Sequence, residues 1–162
     1  MKKSLLFLVF FTSLTIFLSG CSDKITENKD KDDIEWFSQE EKALEFYISE
    51  ENIKGTIEQV ETINNEKLLI SNHFKKTFTI GEMLNKDGKH SVRRISAYSQ
   101  MEIGAQFPIA TSKENDYSVT FSNVKETNEF MPLPDGEFFL RISGKDEDEN
   151  VITSSRTIKT SD

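Results

Sequence analysis

The chain has 162 residues, 36% of them hydrophobic and 30% charged, with a formal net charge of −8 and one cysteine, Cys21. This is enough for one domain or two small ones, and it excludes a polytopic membrane protein, a disulfide scaffold and a collagen-like or low-complexity chain. The acidic balance also argues against a nucleic-acid partner, because phosphate recognition needs an excess of Lys and Arg.

Lys2 and Lys3 open the chain as a short positive region. Residues 5–18, LLFLVFFTSLTIFL, follow, with 11 of 14 apolar. Leu18-Ser19-Gly20-Cys21 comes next. A charged start, a short apolar run and small residues before a cut site form a secretory signal pattern. The run is short for a membrane span, which takes about 20 residues. Leu18-Ser19-Gly20-Cys21 resembles the lipobox of bacterial lipoprotein precursors. The resemblance implies diacylglycerol on the Cys21 sulfur and cleavage between Gly20 and Cys21. The membrane partner would then be reached through lipid on Cys21, leaving the protein at the extracytoplasmic face of the cell membrane. Two acyl chains suffice for stable anchoring, at about 0.8 kcal/mol per buried methylene. Lipidation would also account for an odd cysteine in an exported chain.

Removing residues 1–20 takes away two lysines and no acid. The remaining 18 Lys and Arg face 28 Asp and Glu, a net charge of −10. Such a domain is repelled by anionic lipid heads and wall polymers. Residues 21–33 carry the lipidated cysteine and a polar stretch, SDKITENKDKDD, which reads as a flexible tether. Residues 34–162 read as a single β-rich globular domain.

Ser38 with Glu41 three residues on predicts a capping box opening a helix. Within it Ala43, Leu44, Tyr47 and Ile48 share one face, and Asn52 or Gly55 ends it. Trp36 and Phe37 are expected to fold back on the core. The competing reading makes Trp36, Phe46 and Tyr47 an aromatic ligand platform.

The rest predicts antiparallel strands. Residues 56–63 and 66–72 flank an Asn64-Asn65 turn, and residues 77–84 and 89–99 flank Asn85-Lys86-Asp87-Gly88. The Ile57, Val60 and Ile63 spacing of three leaves a helix open for the first of these. Tyr117, Val119 and Phe121 alternate, as do Phe138, Leu140 and Ile142. A last strand is expected over 151–158. Pro108, Pro132 and Pro134 fall between the candidate strands. The fold class is α+β, one N-terminal helix on a mostly antiparallel meander, with a small β-sandwich plus one helix as the alternative.

No motif supplies chemistry. G-x-S-x-G is absent, and the only histidines are His73 and His90. Zinc spacings are missing. Asp146, Asp148 and Asn150 match the first, third and fifth ligands of a calcium loop, but Val151 and Thr157 occupy its glycine and glutamate positions. A charged hairpin tip explains that run, so no metal site and no cofactor are expected. Lys86, Lys89, Arg93 and Arg94 form the one basic cluster, read as balancing nearby acids. No catalytic residue is assigned. The expected function is a non-enzymatic binding or interaction module of the cell envelope. The alternative is a small envelope enzyme, or an accessory to one, acting on wall or peptide substrates through carboxylates, His73 or His90.

Overall fold

The computed structural model describes residues 34–73, 76–124, 129–134, 136–145 and 149–160. The signal segment with Gly20 and Cys21, the tether, Asp146 and Asp148 lie outside the described residues.

The first element is α1, Glu40–Glu50. Five strands follow: β1 Thr56–Thr62, β2 Lys67–Asn72, β3 Thr77–Lys86, β4 Lys89–Arg94 and β5 Ser99–Gln100. Five more come later: β6 Gln106–Ala110, β7 Asp116–Ser122, β8 Met131–Pro132, β9 Phe139–Gly144 and β10 Ile152–Lys159. They form two antiparallel sheets. The larger runs β10-β1-β2-β3-β4, with β5 also beside β3, and the smaller runs β6-β7-β9-β8.

The α+β class therefore holds, in a form that departs from the expectation. The helix lies 39 residues into the chain, not at its N-terminus. Nor do the strands make one meander. The last strand returns to the first, where the Thr160 N–H and hydroxyl both donate to the Gly55 carbonyl, at 3.2 and 2.6 Å. Of the alternative, a small β-sandwich with one helix, the structure shows two antiparallel sheets sharing one core and a helix on the outer face of the larger sheet, without a clear sandwich.

That face holds Ile57, Leu69 and Met83 against Ala43, Leu44 and Tyr47 of α1 and Ile53 behind it. The opposite face supplies Val60, Leu68, Ile70, Phe78 and Ile80 to a second cluster. Val119, Phe121, Leu140 and Ile142 of the smaller sheet complete this cluster, with Phe78 and Phe121 ring centres 4.5 Å apart. The central strands are thus buried on both faces. This explains the spacing of Ile57 and Val60, which point to opposite layers, while Ile63 lies beyond the strand and is exposed.

The capping box does not form. Gln39 is the N-cap, and it makes no side-chain capping bond. Glu40 is instead held by Lys67 at 2.5 Å and Arg156 at 3.0 Å. Burial opposes its charge, but Lys67 and Arg156 together hold its carboxyl below the usual range. At the other end Asn52 takes φ +49°. The Ile53 and Asn52 N–H groups donate back to Ile48 (3.0 Å) and Ser49 (3.2 Å), satisfying carbonyls the helix leaves open. Tyr47 fixes how close α1 lies to the sheet. A side chain at Gly81 would meet the Tyr47 hydroxyl at 2.8 Å, so only glycine leaves room for the ring.

Both predicted hairpins are present. Asp87 and Gly88 join β3 to β4 with φ of +53° and +72°, the mirror-image turn that suits strand twist. Two prolines lie inside strands, contrary to expectation. Pro108 is in β6 and Pro132 in β8, which are the two outer strands of the smaller sheet. An outer strand tolerates a residue without an N–H.

Candidate functional site

Among the described residues, three places besides the Glu40, Lys67 and Arg156 cluster gather polar groups. The most buried lies where the β6–β7 loop, residues 111–115, meets the larger sheet. Glu66 follows the β1–β2 turn and is 3% exposed, and Glu82 sits mid-β3 at 2%. The Thr111 hydroxyl donates to Glu66 Oε1 at 2.5 Å, and the Tyr117 hydroxyl donates to Glu66 Oε2. Asn64 donates to the same Tyr117 oxygen at 2.8 Å. Burial, then the bond to Glu66, pushes the Tyr117 phenol above its ordinary range. Glu82 receives the Ser112 hydroxyl at 2.6 Å and the Ser112 N–H at 3.0 Å. From its own sheet it receives Arg93 Nε at 3.2 Å and Arg93 Nη2 at 3.0 Å.

Every carboxylate oxygen of this pair has a donor, and a loop of one sheet supplies donors to acids of the other. Lys113 adds bonds to the Asn64 and Asn65 carbonyls at 3.2 and 3.3 Å. The arrangement locks the two sheets together. Its oxygens are spent on that task, which leaves none aimed at a substrate.

Beside the lock lies a recess of about 310 Å³, lined by Ile95, Pro108, Ile109, Ala110, Asp116, Tyr117 and Lys145. Its volume is at the small end of ligand sites, which run from roughly 300 Å³ upward. Most of its lining surface is apolar. Asp116 and Lys145 form an exposed ion pair of 3.2 Å at its rim. A small ligand with an apolar body and a charged end would bury the body and exchange with one rim partner.

The third place is a surface cluster. Arg94 and the Tyr98 hydroxyl both bond Glu51 Oε2, at 3.0 and 2.8 Å, and the guanidinium lies 4.8 Å from the Tyr98 ring centre. His73 meets that ring edge-on at 5.2 Å. Its Nε2 lies 3.0 Å from Thr79 Oγ1. Burial, more than the opposing charges of Glu51 and Arg94, lowers the His73 pKa. An imidazole beside a hydroxyl is the geometry of a base and its nucleophile. Thr79, however, is fully buried, so no substrate reaches its oxygen.

The other predicted residues are scattered. His90 is committed through its backbone, exchanging bonds of 2.8 and 2.7 Å with Phe37. Asn150 spends its side-chain oxygen on the Ile142 and Ile152 N–H groups, both at 3.3 Å, and so braces the start of β10. Of the basic cluster, Arg93 goes to Glu82 and Arg94 to Glu51. The aromatic platform is not assembled: Tyr47 is buried under α1, while Phe46 stacks on Phe37 at 5.3 Å near the surface. The Glu66 and Glu82 lock escaped sequence reasoning. Its one signal was Glu82 inside the apolar run TFTIGEML, in phase with the inward-facing Phe78 and Ile80.

No family model matches the chain, and comparison with curated proteins and with solved structures gave no match.

Proposed function

We propose that the chain is a bacterial lipoprotein, anchored through lipid on Cys21 at the extracytoplasmic face of the cell membrane, and that its folded part is a non-enzymatic binding module of the envelope. The observation that carries the reading is Leu18-Ser19-Gly20-Cys21 directly after a charged and then apolar leader. Residues 22–33 serve as the tether, and at roughly 3.3–3.6 Å per residue they would reach about 40 Å when stretched. The recess between Ile95 and Lys145 supports binding of a small amphipathic group, and the saturation of Glu66 and Glu82 favours a structural role for the buried acids.

The test is intact mass and membrane fractionation of the native protein beside a Cys21→Ala variant. The expected result is loss of residues 1–20, a diacylglycerol-sized mass increase and release of the variant from the membrane. An uncleaved, unmodified chain that behaves like its variant overturns the anchoring.

A further inference from the structure

The recess of about 310 Å³ has one partner of each charge at its rim, but the backbone beside it is not even-handed. Two of its lining residues, Pro108 and Ala110, belong to β6, an outer strand of the smaller sheet. The direction of their backbone groups follows from one bond. The Thr111 N–H donates to the Asn115 carbonyl at 3.0 Å, so that pair is hydrogen-bonded, and such pairs alternate along an antiparallel ladder. The next bonded pair is Ile109 with Tyr117, and the pairs between are Ala110 with Asp116 and Pro108 with Ser118. The backbone groups of Pro108 and Ala110 therefore point away from β7, past the free edge of the sheet. Proline has no N–H. Beside the recess this edge thus presents two carbonyl acceptors and a single donor.

The side chains lean the same way. Tyr117 lines the recess, but its hydroxyl is engaged by Glu66, Asn64 and Thr62. Asp116 and Lys145 remain, 3.2 Å apart, with side chains 50% and 69% exposed. An ion pair this open contributes little and exchanges readily. A ligand cation that takes Asp116 returns the Lys145 ammonium to water. A ligand anion that takes Lys145 leaves Asp116 without its partner, in a chain whose net charge is already −8. An ammonium carries three donors and no acceptor, which matches a rim of one carboxylate and two carbonyls. A carboxylate has acceptors alone and would find Lys145 and one N–H.

We propose that the recess binds a small organic ammonium, with its apolar body against Ile95, Pro108 and Ile109 and its charged end at Asp116 in place of Lys145. This names the ligand class for the binding module proposed above and rests on that reading. The volume, at the small end of ligand sites, suits a short branched chain or a single ring and is too small for a long acyl chain.

The test titrates the full-length chain in detergent micelles with 3-methylbutylammonium, 3-methylbutanol and 3-methylbutanoate, which share one apolar body. Binding is read from the amide shifts of Ala110, Asp116 and Tyr117. The ammonium should saturate these shifts with a dissociation constant on the order of 1 mM. The alcohol should bind roughly three- to tenfold more weakly, and the carboxylate more weakly still. Asp116→Asn should remove the advantage of the ammonium over the alcohol. Lys145→Ala removes the competing cation and should tighten ammonium binding roughly two- to threefold. Ala110→Trp adds bulk at an exposed position and should block all three ligands. Unchanged thermal melts verify that each variant folds. Equal affinity for the ammonium and the alcohol, tighter binding of the carboxylate, or an Asp116→Asn chain that keeps its preference overturns the cation and leaves the recess a binding site. Failure of all three ligands to saturate the shifts overturns the recess as well. Neither result depends on lipidation of Cys21, which is tested separately by mass.

Discussion

The two faces of the larger sheet are closed by different chemistry. On the helix side the joint is hydrocarbon, completed by a tyrosine ring that fits because residue 81 has no side chain. On the other side the centre is also hydrocarbon, but one end is sealed by two buried carboxylates and the loop that bonds them. Apolar contacts are non-directional and tolerate sliding. Charge-assisted bonds at fixed angles do not. The helix can be positioned by shape alone because it packs as a rod against one surface. The β6–β7 hairpin has to be held in register against strands it does not pair with, and Glu66 and Glu82 do this.

The comparison can be broken first at its apolar centre. Phe121→Ala removes a fully buried ring that touches Phe78 and Phe107, and should cost about 3–5 kcal/mol in urea unfolding. A loss below 1 kcal/mol would mean that the two sheets do not share a working core. Next comes the polar seal. Glu82→Leu strips Ser112 and Arg93 of their acceptor and should cost about 2–3 kcal/mol, with part regained when Arg93→Leu is added. If the single variant is neutral, the lock contributes nothing to joining the sheets. On the helix side Gly81→Ala should cost about 1–2 kcal/mol, since the new methyl would press on Tyr47. Combining it with Tyr47→Leu should recover most of that, and strict additivity would rule out the contact as the cause.

The smallest effect is a pH slope. Burial lowers the His73 pKa in the folded chain, so below the ordinary value near 6.5 the unfolded chain binds the extra proton more readily. Stability is full above that pH and declines as pH falls through it toward the lowered folded value. Thermal melts of the protein and of His73→Gln between pH 7 and 5 should differ in slope, the variant being flatter. Parallel slopes would remove His73 from the account.

Much of the fold is legible where the pattern has one dry side. The helix face with Ala43, Leu44 and Tyr47 was readable in this way, and so were the alternating runs Tyr117-Val119-Phe121 and Phe138-Leu140-Ile142. β1 is ambiguous because both its faces are buried, which erases the alternation that identifies a strand. β6 went unread because Pro108 argues against a strand unless its outer position is already known. The carboxylate lock was hidden in a chain with 28 acids, where only the phase of Glu82 marks it out. The recess is assembled from four separate stretches, so no local pattern announces it. Asn150 shows the converse ambiguity. A side chain that looks like a cation ligand in the sequence serves as a backbone brace in the fold.

The pairing of Phe37 with His90 has a mechanical consequence. Those two backbone bonds are the first point at which tension applied at Ile34 meets the sheets. They form an isolated bridge, so they yield a pair at a time instead of sharing load along a ladder. Behind them the strain must pass through α1 before it reaches β1, which is zipped on both sides. Under a steady pull at Ile34 the bridge is therefore the first sheet contact expected to open, ahead of the ladders that hold β1.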